Sequence, residues 1–209
     1  MSAGLLLVGA SGLAREVLAA GITGVVGILD DDAERHGTEV GGVPVLGRTA
    51  LAAERDDDLL LCFGPGTTRR QVARRLSRAG VDEDRYATYA ARSARIGRTC
   101  EVAPGSILLD GVVVTADARL GRHVVIMPNS TITHDDDLCD FVTIAAGVAV
   151  GGGVRIGRGA YLGMNASVRQ GVTVGRDATI GMGAVVLSDV PEGETWAGVP
   201  ARRLGESND

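Results

Sequence analysis

From Ile96 onward the chain returns to an aliphatic residue at every sixth position. Ile96, Val102, Leu108, Val114, Leu120, Ile126, Ile132 and Leu138 are followed by Ile144, Val150, Ile156, Leu162, Val168, Val174, Ile180 and Val186, with no insertion or deletion between them. Four places after the aliphatic residue the chain is small or Val in nearly every hexad, as at Ser106, Val112, Ala118, Val142, Ala160 and Ala166. A period of six is too short for helices and too regular for a sandwich, and it is the signature of a parallel β-helix with one short strand and one turn per hexad. The aliphatic residue then points into a prism, the small fifth residue packs beside it, and glycine or polar residues serve the corners. Gly97, Gly121, Gly157, Gly163, Gly175 and Gly181 directly follow their aliphatic residues. If three hexads close one triangular turn, the run from Ile96 to Pro191 makes about five coils.

Such a prism, free of loop insertions, is expected to have no pocket of its own. A site would lie on its outer face, in a groove between neighbouring prisms, and a ring of three suits a triangular cross-section. One hexad breaks the rule at the fifth place: Asp136, inside His134-Asp135-Asp136-Asp137.

Residues 1–88 follow another pattern. Leu5–Val8 is a short continuous apolar run, as in a strand buried on both faces. Gly9-Ala10-Ser11-Gly12 makes a tight turn, Leu13 to Ala20 reads as a helix, and Val25–Leu29 is a second strand ending in Asp30-Asp31-Asp32. Strand, glycine turn, helix, strand and acidic end form half of a nucleotide-binding α/β unit, and the turn offers backbone N–H groups to an anion at a helix N-terminus. The fingerprint departs from G-x-G-x-x-G, reading Gly9-x-Ser11-x-x-Ala14, so a dinucleotide is not indicated. A glycine turn needed only for helix–sheet packing is the competing reading, and Asp30 and Asp31 are equally readable as ribose-binding or as ordinary loop acids. Val43–Gly47 is extended, Thr49 to Arg55 looks helical, and Leu59–Phe63 is a third strand. After Gly64-Pro65-Gly66, Thr67 or Thr68 is expected to cap a helix that runs to Arg78 and stops at Gly80. Strands alternating with helices imply a small parallel, Rossmann-like sheet, and residues 82–89 connect it to the repeat.

The whole chain has 209 residues, room for one large domain or two small ones. Thirty-one Gly against two Phe point to tight turns and aliphatic ladders rather than aromatic packing. A net charge of −5 argues against nucleic acid as a partner. Arg69, Arg70, Arg74, Arg75 and Arg78 cluster, but at helical spacing, and read as a solvated helix face. Cys62, Cys100 and Cys139 form no CxxC pair, so neither a zinc site nor a disulfide framework is expected, and Cys62 reads as a buried thiol. No apolar run is long enough to span a membrane and no charged segment precedes the first apolar stretch. The expectation is a soluble, cytoplasmic protein.

The Gly9-Ala10-Ser11-Gly12 turn, the Ile28-Leu29-Asp30-Asp31 strand end, the hexads and the closing Gly198-Val199-Pro200-Ala201-Arg202 together resemble one family. It is the nucleotide-sugar acyltransferases with hexapeptide repeats, which include bacillosamine and perosamine N-acetyltransferases and sialic acid O-acetyltransferases. The resemblance covers essentially the whole chain. It implies a Rossmann-like N-terminal domain over residues 1–88 that holds the nucleotide part of the sugar. Residues 89–209 would form a left-handed parallel β-helix with a C-terminal cap. It also implies a homotrimer, with acetyl-CoA as co-substrate bound between adjacent helices and no metal.

His134-Asp135 matches the family's His–acid pair, in which His is the general base and the carboxylate supports it. The chemistry asks for such a pair, because an amine or hydroxyl must lose a proton as it attacks a thioester, and a flanking carboxylate favours the imidazolium. Asp136 and Asp137 offer competing carboxylates. A metal site at this segment is disfavoured because consecutive strand residues point to opposite faces, and His123 does not share a hexad position with His134. Gly152 matches the residue whose backbone N–H meets the acetyl carbonyl, where it would stabilise the oxyanion; a plain corner glycine is the alternative. Thr143, Met164 and Met182 match cofactor-contacting positions, and Gly9, Ser11, Gly12, Asp30, Asp31 and Gly64 match positions on the nucleotide-sugar side.

The sequence also departs from the family. Thr143 replaces a His that contacts acetyl-CoA, Met127 replaces an Asn seven residues before the base, Leu13 replaces a His after Ser-Gly, and Ala91-Arg92 replaces a His-Pro. The expected activity is transfer of an acetyl group from acetyl-CoA to an amine, or a hydroxyl, of a nucleotide-linked sugar. The alternatives are a natural-product acyltransferase with a non-nucleotide acceptor or another acyl-CoA, and a non-catalytic sugar-nucleotide-binding trimer.

Overall fold

A computed structural model describes residues 4–205. The N-terminal layer is a five-stranded sheet built from β1 (Leu5–Val8), β2 (Val25–Leu29), β3 (Glu39–Val40), β4 (Val43–Gly47) and β5 (Asp58–Leu61), in the order β3-β4-β2-β1-β5. β1 lies between β2 and β5 and runs parallel to both, β4 runs parallel to β2, and the short β3 joins β4 antiparallel. Covered on both faces, Leu6, Leu7, Val8, Leu59, Leu60 and Leu61 are fully buried, as their uninterrupted apolar runs require. Helix α1 (Gly12–Ala19) is capped by Ser11, whose Oγ accepts from the N–H of Leu13 at 3.0 Å and of Ala14 at 3.5 Å. Residues 49–54 form a 3₁₀ helix.

Helix α2 (Gly66–Arg78) begins earlier than its sequence suggests. Pro65 is the N-cap and no side chain caps it, so neither Thr67 nor Thr68 takes that role. Its first turn is pressed against the repeat: a Cβ built on Gly66 would stand 2.0 Å from the Phe141 carbonyl oxygen. Only glycine lets the helix start there.

The chain passes from one architecture to the other within a few residues. Leu59 bridges to Tyr86, and β6 (Tyr89–Ala90) already pairs in parallel with Ile107–Leu108 of the repeat. From there to the Ser167–Val168 strand each strand pairs in parallel with the strand eighteen residues on, as in Thr131 with Ala149, Arg119 with Asp137 and Val125 with Thr143, while at the C-terminal end Thr179 pairs with Thr195 and the last strand turns antiparallel. Three hexads therefore close one coil of a three-sided parallel β-helix whose sides are sheets of six, five and eight strands. The first-place aliphatics from Leu108 to Val186 are all buried and form one continuous core with the small fifth-place residues.

The corners turn on the fourth place of the hexad, not on the glycines at the second. Asp117, His123, Asn129, Asp135, Phe141, Asn165 and Asp177 have φ between 52° and 63°, and glycine fills the equivalent place at Gly105, Gly111, Gly147, Gly153 and Gly159. Asn and Asp tolerate this left-handed region through local hydrogen bonding.

The two layers share a core: Leu7, Leu60 and Cys62 pack in one cluster with Ile107, Leu109 and Val125 of the repeat. Arg69 corrects the reading of the arginine cluster as a solvated face, since it is completely buried between them. Its guanidinium donates to the carbonyls of Phe63, Gly64, His123, Phe141 and Val142 and to Thr143 Oγ1, at 2.6–3.2 Å. Burial pulls its pKa down to about 9, so it stays charged at neutral pH. The five-stranded side of the prism also carries a shallow depression of about 590 Å³, walled by Glu101, Arg119, Asp137, Cys139 and Arg158, although a hollow within one prism was not expected. No helix among the described residues is long and apolar enough to cross a membrane.

Candidate active site

His134 and Asp135 form the corner that follows the Thr131–Ile132 strand, with Asp135 at φ 63°. They lie in a turn, so strand alternation is not what governs where their side chains point. His134 Nδ1 is 2.7 Å from Asp135 Oδ2, and both side chains are about two-thirds exposed, at 67% and 66%. The Asp135 hydrogen bond holds the imidazole pKa above its ordinary value, and the charges of Asp135, Asp136 and Asp117 add to the effect.

Asp136 does not compete with Asp135 as the partner. It occupies the fifth place, 1% exposed, and its oxygens accept the backbone N–H groups of Thr133 at 2.8 Å and Val154 at 2.9 Å. Burial nevertheless pushes its carboxyl up to about 6 against those two donors. Asp137 turns to Arg155 at 3.2 Å. The four consecutive polar residues thus divide into an exposed pair, a buried brace and a surface ion pair, and they pool no ligands for a metal.

Gly152 lies one coil beyond His134 and directly against its ring: a Cβ added there would be 2.5 Å from both Cε1 and Nε2. Its own N–H donates to no backbone carbonyl among the described residues. The imidazole, its carboxylate and an uncommitted N–H donor are therefore within one patch.

The other sequence-derived positions lie elsewhere on the chain. Met164 and Met182 stand at a different corner, the one following the eight-stranded side, and are 48% and 72% exposed. Thr143 is 2% exposed on that same side, donating to the Gly64 carbonyl at 2.9 Å and accepting from Arg69. With Gly64, Gly66, Met127 and Tyr161 it walls a hollow of about 440 Å³ between α2 and the prism. Ser11 and Gly12, with Arg15, Arg35 and Val40, line a separate hollow of about 310 Å³ at the start of α1. Asp30 braces that turn by accepting from Ala10 N–H at 2.7 Å and Asp32 N–H at 2.9 Å. Asp31 faces Thr49 and Arg75 instead. Gly9, at φ 108°, is required by the close approach of the Phe63 ring. Of the set expected on the sugar-nucleotide side, Ser11 and Gly12 thus line one hollow and Gly64 another, and Gly9, Asp30 and Asp31 line neither. Arg35, which donates to the Ala10 carbonyl, has no sequence signal that would have named it.

Residues 153–188 match the model of the bacterial transferase hexapeptide family (six repeats). The acetyltransferase domain of PglB from Neisseria gonorrhoeae, solved with acetyl coenzyme A, is similar over 98% of this chain and 100% of its own, with 31% identity and a TM-score of 0.88. The chain belongs to the hexapeptide-repeat nucleotide-sugar acyltransferases. PerB from Caulobacter crescentus, solved with CoA and GDP-perosamine, aligns over 97% of both chains at 29% identity and a TM-score of 0.87. WeeI from Acinetobacter baumannii aligns over 97% of this chain and 100% of its own at 26% identity and a TM-score of 0.86.

Within this acyltransferase family the chain's own departures have a structural explanation at one position. Thr143, expected from the sequence resemblance to replace a cofactor-contacting His, has its hydroxyl engaged in holding Gly64 and Arg69. A histidine there would have to displace both.

Proposed function

We propose that the chain transfers an acetyl group from acetyl-CoA to an amino group, or a hydroxyl, of a nucleotide-linked sugar, with His134 as the general base. The observation that carries this is the His134–Asp135 pair lying against Gly152, in a chain similar throughout its length to one acetyltransferase solved with CoA and GDP-perosamine and another solved with acetyl coenzyme A. With Asp135 ionised, Nδ1 carries the ring hydrogen and Nε2 presents its lone pair. As the acceptor nitrogen or oxygen bonds to the thioester carbon, its proton passes to Nε2. The tetrahedral oxyanion is met by the Gly152 N–H. The C–S bond then breaks, and the imidazolium returns the proton to the departing thiolate.

The other elements take matching roles. The layer over residues 1–88 acts as a Rossmann-like domain, with the Ser11–Gly12 turn at the N-terminus of α1 receiving phosphate oxygens. The described part of residues 89–209 acts as a left-handed β-helix. Met164 and Met182 lie exposed at another corner of the prism than His134, which supports assembly as a homotrimer: a neighbour's Met164–Met182 corner would face the His134 corner and complete the acetyl-CoA groove, while the buried Thr143 would act only by holding Gly64.

The deciding experiment replaces His134 by Ala and measures acetyl transfer from acetyl-CoA to nucleotide-linked amino sugars, GDP-perosamine among them. Turnover should fall about 10²- to 10⁴-fold while the melting temperature stays unchanged. Undiminished turnover would remove His134 from the role.

A further inference from the structure

Beyond the acetyl-transfer machinery, α2 and the edge of the prism enclose another hollow, of about 330 Å³. It shares no lining residue with the hollow at Ser11 or with the one at Thr143. Five arginines line it, Arg70, Arg74 and Arg78 from the helix and Arg122 and Arg158 from the prism. Arg70 pairs with Asp177 at 3.0 Å, Arg122 with Glu83 and with Asp140, and Arg158 with Asp140 at 3.6 Å. Arg74 and Arg78 form no ion pair among the described residues, so the hollow keeps a cationic surplus in a protein whose net charge is negative.

A second observation falls on the same place. Among the described residues three buried side-chain polar atoms lack a hydrogen-bond partner: Tyr86 Oη, His123 Nδ1 and Arg158 Nε. All three residues line this hollow. His123 is 3% exposed, held between the Phe141 ring, stacked at 5.0 Å, and the Tyr86 ring, edge-on at 4.6 Å. A buried polar atom left unpaired is destabilising, and a ligand admitted by a swing of the long arginine side chains supplies the missing partner to Arg158 Nε and Tyr86 Oη.

We propose that this hollow is a second anion site, which binds a free phosphate or a small phosphomonoester between Arg74, Arg78 and Arg158. Guanidinium forks match the oxygens of a phosphate two at a time, and the Tyr86 phenol can add one further bond. The volume admits a small molecule and excludes a peptide or a nucleic acid strand. An anion here ties α2 to the prism, and the first turn of the same helix walls the hollow at Thr143.

The test follows amide hydrogen exchange of the full-length chain as inorganic phosphate is added at constant ionic strength, with calorimetry for affinity. Phosphate should slow exchange across residues 70–78 and around His123. The same protection should persist in Arg15→Ala, which alters the Ser11 hollow, and disappear in the double variant Arg74→Ala/Arg78→Ala. Affinity at this site should fall about tenfold or more in that double variant, the loss of charge-assisted hydrogen bonds. Glucose 6-phosphate serves as the phosphomonoester probe, and the tighter of the two ligands identifies the source of the anion. Absence of protection in the wild type, or equal protection in the double variant, overturns the proposal.

Discussion

Gly152 gives the His134 imidazole its seat, since a single methyl group at that position would stand 2.5 Å from two ring atoms. The Gly152 backbone is not in the left-handed region, so alanine is tolerated by the chain itself and the displaced partner is the ring. Gly152→Ala should therefore leave the melting temperature within a degree or so and lower kcat by about 10²-fold, the effect of misplacing a catalytic group by about 1 Å. Steady-state kinetics beside a thermal melt check both halves, and full activity would show that the ring position does not matter.

Asp135 raises the His134 pKa above its ordinary 6.5. A raised value keeps the imidazole protonated, and so inactive as a base, to a higher pH. In Asp135→Asn the acid limb of kcat/KM should move to lower pH while the plateau falls about tenfold or more. A pH–rate profile decides this, and an unmoved limb would mean that the two residues are not coupled in catalysis.

Asp136 titrates in the opposite thermodynamic sense to a salt-bridged carboxylate. Its folded pKa, about 6, lies above the ordinary 3.8, so the folded state holds the proton more tightly. The benefit is present below the unfolded value and is lost as the pH rises through the folded one. Against Asp136→Val, the residue type usual at that place, the wild type should lose relative stability on the order of 2 kcal/mol between about pH 4 and pH 7. Denaturant melts at the two pH values measure it, and a pH-independent gap would refute the assignment.

Arg69→Met should destabilise the protein by about 3–5 kcal/mol, because it strips donors from several buried carbonyls at once. Arg69→Lys should recover part of the loss, since an ammonium has three donors and no fork. Chemical denaturation tests the ranking, and a Met variant as stable as wild type would contradict it.

The hexad register is legible in the sequence, because the first-place side chains from Leu108 to Val186 are all buried in the same way and one missed step would expose every later one. Gly152 was also accessible in principle, since a coil of three hexads places it eighteen residues from His134. The left-handed corners were hidden because the fourth place holds Gly, Asn and Asp but also His123 and Phe141, whose ring stack occupies one edge. The burial of Arg69 is not legible in the sequence, because helical spacing describes a helix's faces without saying which face another layer covers. The start of α2 is hidden for a related reason: the contact of Gly66 with Phe141 is tertiary and leaves no local capping pattern. Thr143 matched a family position, but its engagement with Gly64 could be seen only once the two layers were in contact.

The eighteen-residue register also acts as a ruler for any redesign of this chain. Inserting one residue after Ile144 would leave the N-terminal layer and His134 where they are, but would rotate every later residue by a fraction of a turn. Gly152 would leave the histidine, and Val154 would leave the buried Asp136. A whole coil could be added beyond Gly171 without disturbing either partnership, at a cost in length of about 4.8 Å. The protein can grow in steps of one coil, and the chemistry at its corner tolerates no smaller unit.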